Sequence, residues 1–88
     1  MPKSQLLTLT AAVLTTVADI DPEPAPEGPI YAHLMAHGLG LAELEEIRDL
    51  LIRCGHVTRG FAPHTLRITP EGARVARMLT MAAERHAA

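Results

Sequence analysis

Residues 41–72 read LAELEEIRDLLIRCGHVTRGFAPHTLRITPEG, and the reading of this stretch decides the fold. Leu41, Leu44, Ile47, Leu50, Leu51 and Cys54 recur every three or four residues. That is the spacing of one helix face, and it predicts a helix over about Leu41–Cys54 with those side chains inward. Gly55 follows where helices commonly close on a left-handed residue. The period then changes. His56–Arg59 and Thr65–Thr69 have strand character, with Leu66 and Ile68 on one side of the second run and Thr65, Arg67 and Thr69 on the other. Gly60-Phe61-Ala62-Pro63 joins the two runs as a hairpin. Thr69-Pro70-Glu71 supplies a capping hydroxyl, a proline at the first helical position and an acid in the first turn. A last helix therefore starts there, with Val75, Ala76, Leu79, Ala82 and Ala83 on its apolar side and Arg74, Arg77 and Arg85 on its polar side.

Working outward, a shorter helix is expected from about Pro29 to His37, stopped by Gly38, with Ile30, Leu34 and Met35 inward. Residues 20–29 form a connector. Its core is Asp-Pro-Glu-Pro-Ala-Pro-Glu-Gly-Pro from Asp21, whose prolines lack backbone donors and bar both helix and sheet interior, so an extended acidic link is expected. Ahead of it, Ser4 can cap a helix over residues 4–18. Leu6, Leu9, Val13 and Val17 make one stripe on that helix, and Leu7, Ala11, Leu14 and Ala18 a second beside it. A surface helix needs only one such stripe. Either the helix is wrapped by its own domain, or one stripe pairs with another chain.

Composition bounds the rest. A chain of 88 residues makes one domain, residues 1–88, with a modest core that dimerisation would help. The hydrophobic share of 48% suits a globular fold. With only Tyr31 and Phe61 as aromatics, the core is aliphatic, and the base-stacking platforms of single-strand binders are missing. Cys54 is the lone cysteine, so no disulfide forms within the chain and a reducing, cytoplasmic setting is expected. The threonines at 8, 10, 15 and 16 and the acids at 19 and 21 argue against a signal peptide, and no run approaches a membrane span. The net charge of −2 conceals a split: two cations against eight acids in residues 1–50, and six against two in residues 51–88. Such a split suggests two faces with different partners.

The order helix, helix, helix, hairpin, helix is similar to a winged helix-turn-helix domain. Leu50-Leu51-Ile52-Arg53-Cys54-Gly55-His56-Val57 resembles the end of a recognition helix entering the first wing strand, and Leu66-Arg67-Ile68-Thr69-Pro70-Glu71-Gly72 resembles the second wing strand and last-helix start of MarR-like and PadR-like bacterial regulators. The likeness covers residues 29–80. It implies a mainly α fold with a small β-hairpin (α+β), about four helices and a two-stranded wing. It also implies a bacterial or phage transcription regulator that binds double-stranded DNA as a homodimer. On this reading Arg48, Arg53, Arg59, His64, Arg67 and Arg74 contact DNA, and Leu6, Leu9, Val13, Val17 and Leu79 join the subunits.

The third helix departs from that pattern. Its outward positions are Ala42, Glu43, Glu45, Glu46, Arg48, Asp49, Ile52 and Arg53, and four of these eight are acids. DNA affinity comes largely from neutralising phosphates, and base edges are read mostly by Arg, Asn and Gln. The rival reading keeps the fold and makes Glu43, Glu45, Glu46 and Asp49 the docking face for a protein. Catalysis and cofactors are not expected, because the glutamates lie on one wet helix face and no phosphate loop or nucleophile elbow is present. His33 and His37 lie four apart but match no zinc motif, and Cys54 reads as a small buried hydrophobe.

Overall fold

The computed structural model describes residues 3–87. Four helices and three short strands follow the order α1 (Lys3–Ile20), β1 (Ala25–Pro26), α2 (Glu27–Ala36), α3 (Leu41–Arg53), β2 (Val57–Arg59), β3 (Thr65–Ile68) and α4 (Pro70–Ala87). The class is mainly α with a small antiparallel sheet, as expected, but the sheet has three strands rather than two, in the order β1-β3-β2. Val57 pairs with Ile68, Thr58 with Arg67 and Arg59 with Leu66, which is the expected hairpin. On the far side of β3, Ala25 pairs with Leu66 and Pro26 with Thr65.

The connector is thus also a sheet edge. Prolines are barred from a sheet interior but tolerated at an edge, where the absent N–H would have pointed to solvent. Ala25 is fully buried. The helix after it starts at Glu27 and not at Pro29, which puts Pro29 in the first turn, where backbone N–H groups have no helical partner anyway. Ser4 lies inside α1 rather than capping it, and its carbonyl accepts from Thr8 Oγ1 at 2.9 Å.

The core is aliphatic and built around α1, which packs on α3, α4, β1 and β3. Leu9, Val13, Leu14 and Val17 of α1 meet Ile30 and Leu34 of α2, Leu44, Ile47 and Leu51 of α3, and Val57 and Leu66 of the sheet. Most of both stripes is therefore buried within the chain's own domain, while Leu7 of the second stripe stays exposed. Met35, expected inward, is exposed, and so are Leu41 and Cys54 at the two ends of the α3 row. No helix among the described residues is long and apolar enough to cross a membrane.

Two helix ends close in the same way. Gly55 (φ 76°) donates to Ile52 O at 3.0 Å while His56 N–H reaches Leu51 O at 3.0 Å, satisfying carbonyls that the helix end would orphan. Gly38 (φ 81°) and Leu39 do the same for α2, donating to Met35 O and Leu34 O. Thr69 joins α4 to this corner. Its hydroxyl donates to Gly55 O at 2.6 Å and accepts from Gly72 N–H at 3.0 Å. The approach there is so close that a Cβ on Gly72 would overlap the carbonyl oxygen of His56, whereas one on Gly28 would meet nothing.

This packing orders three substitutions by cost. Ile47→Ala should lower the unfolding free energy by about 2–5 kcal/mol through lost burial and the cavity left. Gly72→Ala should lower it by roughly 1–3 kcal/mol through overpacking against backbone. Gly28→Ala should change it by less than about 1 kcal/mol, in the stabilising direction that helix propensity favours. Urea titration reads all three, and equal midpoints for the two glycine variants would contradict the Gly72 contact.

Candidate docking surface

Turning Leu44, Ile47 and Leu51 inward leaves Ala42, Glu45, Glu46, Asp49 and Arg53 exposed on α3, with Ile52 half-buried among them. Glu43 has a structural task at the helix start, where its Oε2 accepts the Gly40 N–H at 3.1 Å. Arg48 does not face outward as the DNA reading requires. Its Nη1 lies 3.2 Å from Glu27 Oε1 and its Nε 3.1 Å from Asp49 Oδ1, and the Arg48 and Glu27 side chains are only 17% and 8% exposed. Burial works against the Arg48 charge. The hydrogen bonds Arg48 donates to Asp49 and Glu27 and the attraction of both carboxylates outweigh burial and raise the guanidinium pKa above its ordinary value. Glu27 sits in the first turn of α2, where the helix dipole favours an anion. The pair ties α2 to α3.

The remaining cations are dispersed. Residues directly opposite in an antiparallel ladder share a sheet face. Arg59 lies opposite buried Leu66 and so leaves β2 on the helix side, while Arg67 lies opposite Thr58 on the other face. These two cannot form one phosphate-binding row. Arg59 instead lines a shallow groove with Glu46, Asp49, Ile52 and Arg53 of α3. Arg67 is 3.4 Å from Asp21, and Arg74 is 3.6 Å from Glu71 on α4. Both are exposed pairs of the kind worth about 0–1 kcal/mol, so they bias these side chains without locking them.

His64 adopts a left-handed backbone (φ 57°), and its carbonyl accepts the Glu27 N–H at 2.9 Å. It borders a second cleft, on the opposite flank of α3, with Glu27, Tyr31, Leu41, Glu45 and Arg48. The four acids of the rival reading therefore separate: Glu46 and Asp49 join the groove with Arg53 and Arg59, Glu45 turns to the other cleft, and Glu43 caps the helix.

Of the residues expected to join subunits, Leu9, Val13 and Val17 are buried in the chain's own core and Leu6 packs against it. Leu79 is exposed, as are Leu7 on α1 and Met78 and Met81 on α4. The His33 and His37 ring centroids lie 4.8 Å apart with the planes tilted by 59°, His37 Nδ1 is 3.0 Å from His33 O, and no group of three metal-ligating side chains occurs among the described residues. Reading along the chain missed Glu27, Asp21, Tyr31 and the fully exposed Phe61 at the hairpin tip. Glu27 had one legible signal, an acid beside the first-turn proline of a helix.

Removing one member of the Arg48–Glu27 pair leaves a shielded charge alone. Arg48→Ala should cost about 2–4 kcal/mol, somewhat below the value for a fully buried pair. The double variant Arg48→Met/Glu27→Gln should recover most of that loss in the same urea titration. A single variant as stable as the parent protein would show that the pair does not hold the helices together.

No protein-family model matches this chain, and no curated protein or solved structure matches it.

Proposed function

We propose that this chain is a small winged helix-turn-helix protein that binds another protein through α3 and the hairpin. The element order and the β1-β3-β2 sheet support the winged-helix arrangement, with α3 in the place of the recognition helix. One observation carries the choice of partner. The exposed face of α3 presents Glu45, Glu46 and Asp49 while its central arginine is turned inward onto Glu27. A DNA duplex pressed there would set phosphates against carboxylates, and electrostatic affinity for DNA depends on the reverse. A basic protein surface meets the same face favourably, with faster and salt-sensitive association. Phe61 adds an apolar anchor at the hairpin tip, the kind of side chain that dominates protein interfaces.

The clefts beside α3 hold carboxylates and arginines, an arrangement for binding rather than acid–base chemistry. The exposed thiol of Cys54, alone in the chain, suits a reducing, cytoplasmic compartment. Leu7, Met78, Leu79 and Met81 leave α1 and α4 with exposed apolar side chains through which two copies would pair as a homodimer.

The rival is double-stranded DNA bound by Arg53 at the end of α3 and Arg59 of the hairpin, neither of which makes an ion pair among the described residues. Two measurements separate the readings. Fluorescence polarisation with a 30-bp duplex at about 50 mM salt should show no saturable binding at roughly 100 μM protein, the weak end of non-specific affinity. Saturable binding that weakens on Arg59→Ala would overturn the protein reading. Affinity capture should recover a partner with the parent chain and lose it with Glu46→Lys/Asp49→Lys. Light scattering tests the pairing: Met78→Glu/Leu79→Glu should be monomeric at concentrations where the parent protein is a dimer.

A further inference from the structure

We propose that His33 and His37, one turn apart at the C-terminal end of α2, form a two-imidazole site for a divalent transition ion of the Ni²⁺, Cu²⁺ or Zn²⁺ class, with water completing its coordination. The site goes beyond the protein-binding reading and does not rest on it, since none of the α3 acids takes part.

The His37 ring is already held in the way a ligand is held. Its Nδ1 lies 3.0 Å from His33 O. A carbonyl can only accept, so Nδ1 carries the proton and the neutral ring keeps its lone pair on Nε2. Metal-bound histidines almost always donate their second ring N–H to a carbonyl, carboxylate or water in this manner, which fixes tautomer and orientation. The helix end frees the carbonyl for this use. The His37 backbone N–H donates to Leu34 O at 3.0 Å, whereas a continuing α-helix would direct it to His33 O.

The second ring stands at chelating distance. Residues four apart share a helix face, and the two ring centroids are 4.8 Å apart with their planes tilted by 59°. An ion held at about 2.0–2.1 Å by one nitrogen of each ring lies roughly 3.2 Å from each centroid. Centroids at the observed separation then subtend roughly 100° at the ion, between the square-planar angle that suits Cu²⁺ and Ni²⁺ and the tetrahedral angle of Zn²⁺. Both side chains are exposed, so an ion reaches them without any opening of the fold. The C-terminal end of a helix also favours a cation. No group of three metal-ligating side chains occurs among the described residues, so the ion is exchangeable rather than structural. Hard ions such as Mg²⁺, which take oxygen ligands, do not suit two imidazoles.

The test titrates ¹⁵N-labelled full-length chain with Ni²⁺, whose paramagnetism bleaches nearby amide signals. One ion per chain should bind, with His33 to Gly38 bleached first, and Mg²⁺ should leave the spectrum unchanged. His33→Ala and His37→Ala, both at exposed positions, should each weaken binding at least about tenfold, because a two-point chelate becomes a single contact. Met35→His/His37→Ala keeps two histidines but takes them off the shared face, and it should bind as weakly as the single variants. Cys54→Ser should leave the affinity unchanged. The same spectra show whether each variant is folded. Bleaching centred on Cys54, His56, His64 or the chain's amino terminus would overturn the proposal. So would an equal response to Mg²⁺, or parent-like affinity in His33→Ala, His37→Ala or Met35→His/His37→Ala.

Discussion

Leu44, Ile47 and Leu51 are withdrawn from solvent against Ile30 and Leu34, and a helix of 3.6 residues per turn leaves no freedom once such a row is set. Fixing the buried row of α3 fixes what the opposite row shows to the world. The acids at 45, 46 and 49 are outward because the leucines and the isoleucine beside them are inward. Aliphatic burial, which is non-directional, thereby sets the electrostatic character of the exposed face of α3. Any role assigned to α3 must accept carboxylates at its centre.

A domain of this size with almost no aromatic side chains has little apolar area to spend. It gains order from closures of the backbone instead. Both α2 and α3 end on a glycine in the left-handed region that returns its N–H to the preceding turn, and Thr69 links the start of α4 to the end of α3 through one hydroxyl used as both donor and acceptor. The proline-rich strand adds a further closure. Ala25 and Pro26 pair with β3 and complete its second edge, and their partners Leu66 and Thr65 are some forty residues distant in the chain. The cost of closing so long a loop rises only slowly with its length, so one short edge strand is a tolerable way to lock the first helix to the sheet.

Local signals carried most of the architecture. The three-and-four spacing on residues 41–54, the change to alternation after Gly55 and the Thr-Pro-Glu start of α4 are each readable within a dozen residues, and all three elements formed. What was illegible depended on distant partners. Prolines at 22, 24 and 26 read as a breaker because nothing nearby announces that Leu66 will pair with Ala25. Arg48 looked like an outward cation because its partner Glu27 lies on another helix. The two stripes of α1 were visible, but which of them the domain would bury depended on where α3 and the sheet came to rest. The opposite facing of Arg59 and Arg67 turned on hairpin register, which the residue types in the loop left open.

The division of charge between the halves of the chain takes its meaning from the same packing. An acidic first half and a basic second half suggest two surfaces of opposite sign, and that is not what folding makes of them. Asp21 of the first half meets Arg67 of the second, and Glu46 and Asp49 share a groove with Arg53 and Arg59. Interleaved charges cancel within about a Debye length, roughly 8 Å at physiological salt, so they generate little of the long-range attraction that steers a protein onto a polyanion. Close to the surface they do the opposite of cancelling. Each groove beside α3 keeps its own pattern of sign, which rewards a partner whose charges match residue by residue and penalises one that presents a single uniform sign, and a phosphate backbone is the extreme case of the latter.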